Sequence, residues 1–159
     1  RMEYGPRALG NRSILADPTD ATINDWLNRK LSRTEFMPFA PSIMEEYASD
    51  FYNDFEKGEI AAKFMTVTFD VTKKGAKMAP AVNHIDNTAR PQTVTKQQNK
   101  SYYNILNSYN DIKGLPLFIN TSFNMHEEPI VCSPEDAIRS FNSGAVDCLA
   151  IGNFICFPK

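Results

Sequence analysis

The chain has 159 residues, of which 42% are hydrophobic and 23% charged, the composition of one soluble globular domain. This composition excludes disordered, collagen-like and coiled-coil chains. Its 17 basic and 19 acidic residues give a net charge of -2, so a nucleic-acid partner is not expected. No apolar stretch approaches the roughly 18 residues that a membrane helix requires, and we therefore expect a cytoplasmic protein without a membrane partner.

The chain starts without Met inside a polar, glycine-containing run, RMEYGPRALGNRS, so we expect it to be a piece of a longer protein. Residues 13–16 are predicted to form a strand that stops at the following Asp-Pro pair. A helix follows, capped by Thr19 or Asp20 and ending near Ser32. Its apolar residues recur at helical spacing on one face: Ile23, Trp26, Leu27 and Leu31.

The middle of the chain has weaker patterns. A short helix is predicted to start at Pro41 or Ser42, with two acidic residues in its first turns, and to end before Gly58. Residues 63–71 alternate apolar and small polar side chains, which predicts a strand, and residues 73–79 are expected to be a charged, exposed connection. Residues 80–94 mix β-like pieces with turn formers, a pattern typical of a segment on the surface or along a cleft.

The second half has clearer patterns. Residues 98–112 have the spacing of an amphipathic helix closed by Gly114 and Pro116, and residues 115–120 form a buried strand. Ser133 is expected to cap a helix over residues 134–142, and two final strands to form a hairpin that turns at Gly152-Asn153. We therefore predict a single domain of the α/β (α+β) class over residues 1–159, with helices around one curved sheet.

The cysteines and the common catalytic motifs offer little chemistry. Cys132, Cys148 and Cys156 are odd in number and include no CxxC pair, so we expect reduced thiols in the core rather than disulfides or zinc ligands. Walker, dinucleotide-glycine, HExxH and metal-spaced histidine patterns are missing, and no metal ligands are predicted. Ser122 follows a strand but lacks the GxSxG pattern of a nucleophile.

A set of cationic residues lies beside turns, and these residues are candidates for binding an anion. A guanidinium held next to proline or glycine suits two-pronged capture of phosphate. The alternative for any one of them is a solvated charge or a surface ion pair. The set comprises Arg7, Arg12, Lys30, Arg33 and Arg90.

A polar run over residues 120–124 follows the strand predicted at 115–120. Thr121, Ser122 and Asn124 place hydroxyl and amide groups where open α/β sheets present ligand-binding groups. Such groups can bind phosphate oxygens or a carbamoyl-like amide. The alternative is a turn stabilised by local side-chain hydrogen bonds to the backbone.

Five motifs resemble one known family. RMEYGPRALGNRSIL, RTEFMPFAPSI, AVNHIDNTARPQTV, PLFINTSFN and EPIV occur in the order found in the C-terminal domain of the NodU/CmcH-type carbamoyltransferases. The resemblance runs from the first residue to about Gly152. It implies a YrdC-like fold, in which a twisted mixed sheet flanked by helices surrounds a cationic cavity.

The resemblance also implies an activity. Family members join an N-terminal domain of the actin-like ATPase class, which carries a histidine-liganded iron, to a YrdC-like domain. The YrdC-like domain binds carbamoyl phosphate and ATP and forms a carbamoyl-adenylate, and the N-terminal domain passes the carbamoyl group to an acceptor hydroxyl. Mg²⁺ is expected to enter with the ATP.

Site residues follow from the motifs that match. The Lys, Arg, Ser and Asn set of YrdC-like sites is placed on Lys30, Arg33, Ser122 and Asn124, with Arg29 as the alternative to Lys30. Met37 stands where many relatives have Arg, so the contact of that arginine is not carried over to this chain. Altogether the resemblance and the residues predict Lys30, Arg33 and Arg90 as catalytic, and Arg7, Arg12, Thr121, Ser122, Asn124 and His84 as ligand-binding residues.

We expect different roles for the two histidines, His84 and His126. His84, with Asp86, is expected either to orient Arg90 or to form a structural pair, the latter being favoured. His126 is expected at the surface. Two other functions stay open at this point, namely a YrdC-like nucleic-acid-binding module and a non-catalytic interaction domain with a large exposed apolar patch.

Overall fold

The computed structural model describes residues 2–3, 7–32 and 38–158. The strands are β1 (Ser13–Ala16), β2 (Ala40–Met44), β3 (Phe69–Asp70), β4 (Thr88–Ala89), β5 (Gln92–Val94), β6 (Leu117–Ser122), β7 (Leu149–Ile151) and β8 (Phe154–Cys156). The helices are α1 (Ile23–Lys30), α2 (Ala48–Phe51), α3 (Glu59–Ala62), α4 (Lys73–Met78), α5 (Lys100–Lys113) and α6 (Pro134–Asn142). Short 3₁₀ turns lie at Glu45–Tyr47, Phe55–Lys57 and Pro80–Val82.

The main sheet has four strands in the order β1-β6-β2-β5. β6 is antiparallel to both of its neighbours, whereas β2 and β5 run parallel. In this register Ser42 of β2 lies opposite Phe118 of β6 on one side and Gln92 of β5 on the other. The predicted α/β (α+β) class, a mixed sheet with helices around it, is confirmed.

Alternation along the strands gives this sheet two apolar faces. Ile43 and Leu117 belong to the larger core, which also contains the buried side of α1. Their neighbours Met44 and Phe118 point into a smaller cluster with Tyr102 and other residues of α5. Side chains of a strand alternate between its two faces, so both faces of β2 and β6 are covered and all five residues of β2 are buried.

The elements with strong local signals are where the sequence predicts them. β1, α1, β6 and the β7–β8 hairpin occupy the expected positions. The Asn99 side chain accepts a hydrogen bond from the backbone of Tyr102 at the start of α5, and Gly114 ends that helix at φ +67°. At α6, Ser133 and Asp136 form a capping box.

The helix predicted to start at Pro41 or Ser42 is wrong, because residues 40–44 form β2. Buried neighbours on both faces and paired strands on both sides outweigh the local helix-start pattern. Pro41 is tolerated because β5 pairs with β2 only from Ser42 onward. The acidic residues that follow form a 3₁₀ turn leading into the short helix α2.

Two further expectations for the middle segment are corrected. The strand predicted over residues 63–71 is reduced to β3, since the chain turns at Met65, which has φ +55°. The connection predicted over residues 73–79 contains α4, whose first turn is capped by the Thr72 side chain. Gly75 of this helix packs against Phe51, and a Cβ at Gly75 would lie 2.8 Å from the Phe51 carbonyl oxygen.

The expectation of core cysteines is also wrong. Cys132 and Cys148 are exposed, Cys156 is half-buried, and all three are free thiols. Cys132 and Cys148 lie in the connections on either side of α6, next to Val131 and Leu149, which are buried in the core while the two cysteines are exposed. Cys156 lies in β8 and packs partly against the core. Within the described ranges, no helix combines the length and the hydrophobicity needed to cross a membrane.

Candidate functional site

A cavity of about 290 Å³ opens where the polar end of β6 meets the N-terminal segment. Five parts of the chain border it: residues 7–8, residues 38–40, Met65, Arg90, and several residues between 120 and 127. Five of the predicted ligand-binding or catalytic residues meet here, namely Arg7, Arg90, Thr121, Ser122 and Asn124.

Arg7 and Arg90 give this cavity its charge. Burial lowers the pKa of the Arg90 guanidinium, and the positive charge of Arg7 lowers it further. The Nε of Arg90 is buried and has no hydrogen-bond partner. Among the described residues, no carboxylate forms a salt bridge with Arg90. Two guanidinium groups that border one cavity favour the binding of an anion there.

A buried network of polar side chains holds the Arg7 segment against the sheet. The Asn120 amide donates to the hydroxyl of Ser42 and the Oε1 of Gln92, both at 2.9 Å, and to the carbonyl of Ala8 at 3.1 Å. Ser42 donates to the same Oε1 at 2.6 Å, and the Gln92 amide donates to the carbonyl of Leu9 at 3.0 Å. Asn120 of β6 and Gln92 of β5 therefore fix the backbone next to Arg7 by hydrogen bonds to its carbonyls, and Ser42 of β2 links these two side chains.

The end of β6 supplies hydroxyl and amide groups. The Ser122 hydroxyl donates to the Oδ1 of Asn124 at 2.6 Å. The Asn124 amide donates to the carbonyls of Met125 and Glu128, each at 2.9 Å. These bonds form the local turn that was the alternative for this run, and the same turn holds both side chains at the border of the cavity.

Sequence reasoning missed two residues on this border. His126, expected at the surface, is half-buried there, and its backbone N–H donates to the carbonyl of Leu31 at 3.1 Å. Asn120 was considered only as part of the polar run, although it is buried and central to the network. The signal that could have identified His126 is its position two residues after Asn124 in the same loop.

Lys30 lies away from this cavity. Its ammonium forms a salt bridge with Asp147 and lies 4.3 Å from the centroid of the Trp26 ring. Its neighbour Arg29 is exposed. The predicted roles of Lys30 and Arg29 stay predictions, and Arg33 and Met37 lie outside the described residues.

Arg12 and His84 also lie outside the border of the cavity. The backbone N–H of Arg12 donates to Glu3 at 2.8 Å, and its carbonyl accepts from Phe123. His84 Nδ1 lies 3.0 Å from the hydroxyl of Thr88.

Thr88 connects His84 to Asp86. Its hydroxyl and backbone N–H both donate to Asp86, and these two bonds hold the pKa of that carboxyl below its usual value. His84 and Asp86 thus belong to one structural turn ahead of Arg90, the alternative that the sequence favoured. Among the described residues, no group of three or more His, Cys, Asp or Glu side chains is placed to hold a metal ion.

Comparisons with known proteins identify the family of this chain. A family model described as Carbamoyltransferase C-terminus matches residues 1–157. The uncharacterized protein MJ1051 of Methanocaldococcus jannaschii is 45% identical over 155 residues, which cover 98% of this chain and 29% of that protein. Nodulation protein NolO of Bradyrhizobium diazoefficiens is 42% identical over 98% of this chain and 28% of its own length. Nodulation protein U of Rhizobium tropici is 36% identical over 79% of this chain and 21% of its own. The chain spans less than a third of the length of these relatives.

Proposed function

Because the chain belongs to the carbamoyltransferase C-terminus family, we propose that it is the part of an O-carbamoyltransferase that binds carbamoyl phosphate and ATP and forms a carbamoyl-adenylate. The observation that carries the proposal is the meeting of Arg7 and Arg90 in one cavity with the polar end of β6. Both reactants are phosphorylated, and clustered guanidinium groups neutralise the charge that would otherwise keep them apart.

The residues of the cavity have separate tasks in this proposal. Arg7 and Arg90 hold phosphate oxygens, and their like charge in the free protein is compensated when the anion binds. Thr121 and Ser122 contact phosphate oxygens, and Asn124 fixes the loop that carries them. No side-chain nucleophile is required, because the catalytic effect of the site is charge neutralisation and alignment of two bound reactants.

The chemistry balances as follows. Carbamoyl phosphate, ATP and one water molecule give carbamoyl-adenylate, phosphate and pyrophosphate. Water first hydrolyses carbamoyl phosphate to carbamate and inorganic phosphate. An oxygen of this carbamate then attacks the α-phosphorus of ATP, and the bond from that phosphorus to the pyrophosphate oxygen breaks. Mg²⁺ enters with the nucleotide, since phosphates and water supply most of the ligands of this ion in nucleotide sites.

The second half of the reaction lies outside this chain in our proposal. Its relatives are more than three times as long, which leaves room for a partner domain in the same polypeptide. That domain, of the actin-like ATPase class with its iron, would transfer the carbamoyl group to an acceptor hydroxyl, and the present chain would be the YrdC-like activating domain.

Calorimetric titration tests the proposal directly. The wild-type chain, Arg90→Ala and the control Arg139→Ala would be titrated with carbamoyl phosphate and with ATP–Mg²⁺. Arg139 is a suitable control because it is an exposed arginine on α6, paired with Asp136. We expect binding by wild type and control and at least a tenfold loss in Arg90→Ala, about the effect of one charge-assisted contact. Equal affinity in all three proteins would refute the proposed site.

A further inference from the structure

A cavity of about 570 Å³ lies between β1 and the segment that leads into β7. Residues 13–17 border it without a gap, and so do residues 145–150. Side chains of a strand alternate between its two faces, so a cavity bordered by every consecutive residue runs along the edges of these strands. Apolar side chains of α1, among them Ile23 and Trp26, also border it. We call this cavity the β1–β7 groove.

The edge of β1 at this groove has unpaired backbone groups. β1 is the outermost strand of the order β1-β6-β2-β5. Just before β1, the carbonyl of Arg12 accepts from the N–H of Phe123 at 2.8 Å. Residues that bond to the neighbouring strand alternate along an antiparallel ladder, so the backbone groups of Ser13 and Leu15 point away from β6. Within the described ranges they form no hydrogen bond to another segment.

The edge of β7 at the groove is unpaired as well, because its sheet contains only β7 and β8. Ile151 and Phe154 pair directly across the two-residue turn, and residues that close such a turn are hydrogen-bonded to each other. By the same alternation, the backbone groups of Ala150 point away from β8. Ala150 borders the groove and, among the described residues, forms no backbone hydrogen bond to another segment. Two unpaired strand edges therefore border one groove.

The β7–β8 hairpin has the composition of a strand pair from the interior of a sheet. Phe154 is 73% and Ile155 is 67% exposed, and as neighbours in β8 they lie on its opposite faces. Apolar residues on both faces are typical of a strand that is covered on both sides. An isolated two-stranded hairpin is only marginally stable in water, and a third strand would stabilise it.

Residues that precede this chain in a longer polypeptide would enter at one end of the groove. The carboxylate of Glu3 accepts from the backbone N–H of Arg12 at 2.8 Å and from the side-chain amide of Asn11 at 2.9 Å. Asn11 borders the groove. The relatives are more than three times as long, and the matching family model describes a C-terminus, so most of their length precedes the matched part. A strand from that preceding part has the shortest path to the groove.

We propose that an extended strand of the preceding polypeptide inserts into the β1–β7 groove and pairs with β1 on one side and β7 on the other. Its backbone bonds to Ser13, Leu15 and Ala150, and its apolar side chains, at every second position, pack against Trp26 and its neighbours on α1. The main sheet and the hairpin then form one continuous sheet. This inference goes beyond the proposed function, because it concerns how the chain is joined to the rest of the protein.

Hydrogen exchange of single backbone amides tests the insertion. Exchange at Leu15 and Ala150 would be compared between the full-length protein and the 159-residue chain. We expect both amides to exchange about a hundredfold more slowly in the full-length protein, because each gains a hydrogen bond. Ile155 is the control, since it lies opposite Ala150 and its N–H points to the outer edge of β8. It should exchange alike in both proteins.

Two matched proline variants identify the edge that is used. Ala150→Pro removes the N–H at the groove, and Ile155→Pro removes the N–H at the opposite edge of the hairpin. Neither change removes a hydrogen bond between β7 and β8. In the full-length protein, Ala150→Pro should restore fast exchange at Leu15, whereas Ile155→Pro should leave it slow. In the 159-residue chain the two variants should have the same Tm.

Three results would overturn the inference. Fast exchange at Leu15 in the full-length protein would show that no strand pairs with β1. Equal slowing at Ile155 and Ala150 would show that a partner covers the whole hairpin without pairing at the edge of β7. Slow exchange at Leu15 in the 159-residue chain that increases with its concentration would make a second copy the occupant. All three are independent of the calorimetric test, so the proposed function can fail or hold separately.

Discussion

Arg7 and Arg90 border the same cavity although they carry the same charge, and the charge of Arg7 adds to burial in lowering the pKa of Arg90. A lowered pKa of a cationic group means that the folded chain disfavours the charged form. Since arginine stays charged at every ordinary pH, the free protein carries this cost throughout its working range. Such a cost is typical of a site arranged for a ligand of opposite charge.

Replacing Arg90 with Met should therefore make the folded chain more stable and weaken its binding of anions. We expect the free energy of unfolding to rise by about 0.5 kcal/mol, a small gain because Arg90 is only partly buried and water screens its repulsion with Arg7. Anion affinity should fall in the same variant. Urea unfolding at low salt measures the first effect, with Arg139→Met as the control. A less stable Arg90→Met chain would contradict the proposed repulsion.

Gly10 is expected to tolerate no side chain. It has φ +102°, and a Cβ there would lie 2.2 Å from the ring of the buried Tyr102. Gly10→Ala should lower the free energy of unfolding by about 3 kcal/mol and displace the Arg7 segment. Gly144→Ala is the matched control, because that glycine has φ +87° and open space around it, so only backbone strain of about 1 kcal/mol is expected. Equal losses in urea unfolding would contradict the steric explanation.

Asn120→Asp should disturb the network that holds the Arg7 segment. A carboxylate would face the oxygens of Ala8, Ser42 and Gln92 without a hydrogen to donate, at a cost of about 3 kcal/mol near pH 7. Burial raises the pKa of such a carboxyl, so the folded state binds the extra proton more tightly than the unfolded state. The decrease in unfolding free energy relative to wild type should become smaller as the pH falls toward about 5, because the protonated carboxyl can then donate a hydrogen bond.

The exposed residue Asn104 of α5 provides the control for this pH dependence. Asn104→Asp should change the unfolding free energy by less than about 0.5 kcal/mol at either pH. A loss in Asn120→Asp that stays the same at both values would show that protonation does not restore the network.

The role of Lys30 can be tested by comparing its substitution with that of its salt-bridge partner, Asp147. Its ammonium is held by Asp147 and packs over Trp26, away from the border of the anion cavity. From this geometry we expect Lys30→Ala to leave the affinity for carbamoyl phosphate within about twofold, and Asp147→Asn to behave alike. A large loss in Lys30→Ala alone would establish the catalytic role predicted from the sequence, and would require release of Lys30 from Asp147 when ligand binds.

The capping box of α6 should make stability depend on acid pH. Hydrogen bonds from the backbone of Ser133 and Cys132 hold the pKa of Asp136 below its ordinary value of 3.8. A lowered carboxyl pKa contributes stability that is present above the unfolded value and is lost as pH falls through the folded one. The gap in Tm between wild type and Asp136→Ala should thus narrow below pH 3.8.

The matching control for this prediction is Asp136→Asn. It keeps a side-chain acceptor but removes the titrating group, so the gap in Tm between Asp136→Asn and Asp136→Ala should not vary with pH. If the difference in Tm between wild type and Asp136→Ala stayed constant from neutral to strongly acid pH, the role given to the ionised carboxyl would be contradicted.

Local signals predicted some elements of the fold and not others. β1, β6, α5 and α6 carry their own spacing, caps and terminating residues, and all four are confirmed. β2 was missed because Pro41 followed by two glutamates resembles a helix start. Only its position between β6 and β5 determines its conformation, and that information lies in strands 50 to 80 residues further along the chain.

Local sequence signals likewise predicted some residues of the candidate site and missed others. Arg7, Arg90 and Ser122 could be selected because each lies next to a predicted strand or beside glycine or proline in the sequence, and the structure brings them to one cavity. The pairing of Lys30 with Asp147 joins residues 117 positions apart, and no spacing in the sequence predicts it. Asn120 was likewise missed as a support, since its hydrogen bonds reach Ala8 across 112 positions.

That long separation between Asn120 and Ala8 has a consequence for folding during synthesis. Within this chain the Arg7 segment is translated more than 100 residues before β6, which fixes it. Contacts of such high sequence separation form late, so the nascent chain has no anion cavity until the main sheet is assembled. An anion that binds between the two arginines would then stabilise the last step of folding, and the ligand would act as a folding aid for newly made protein.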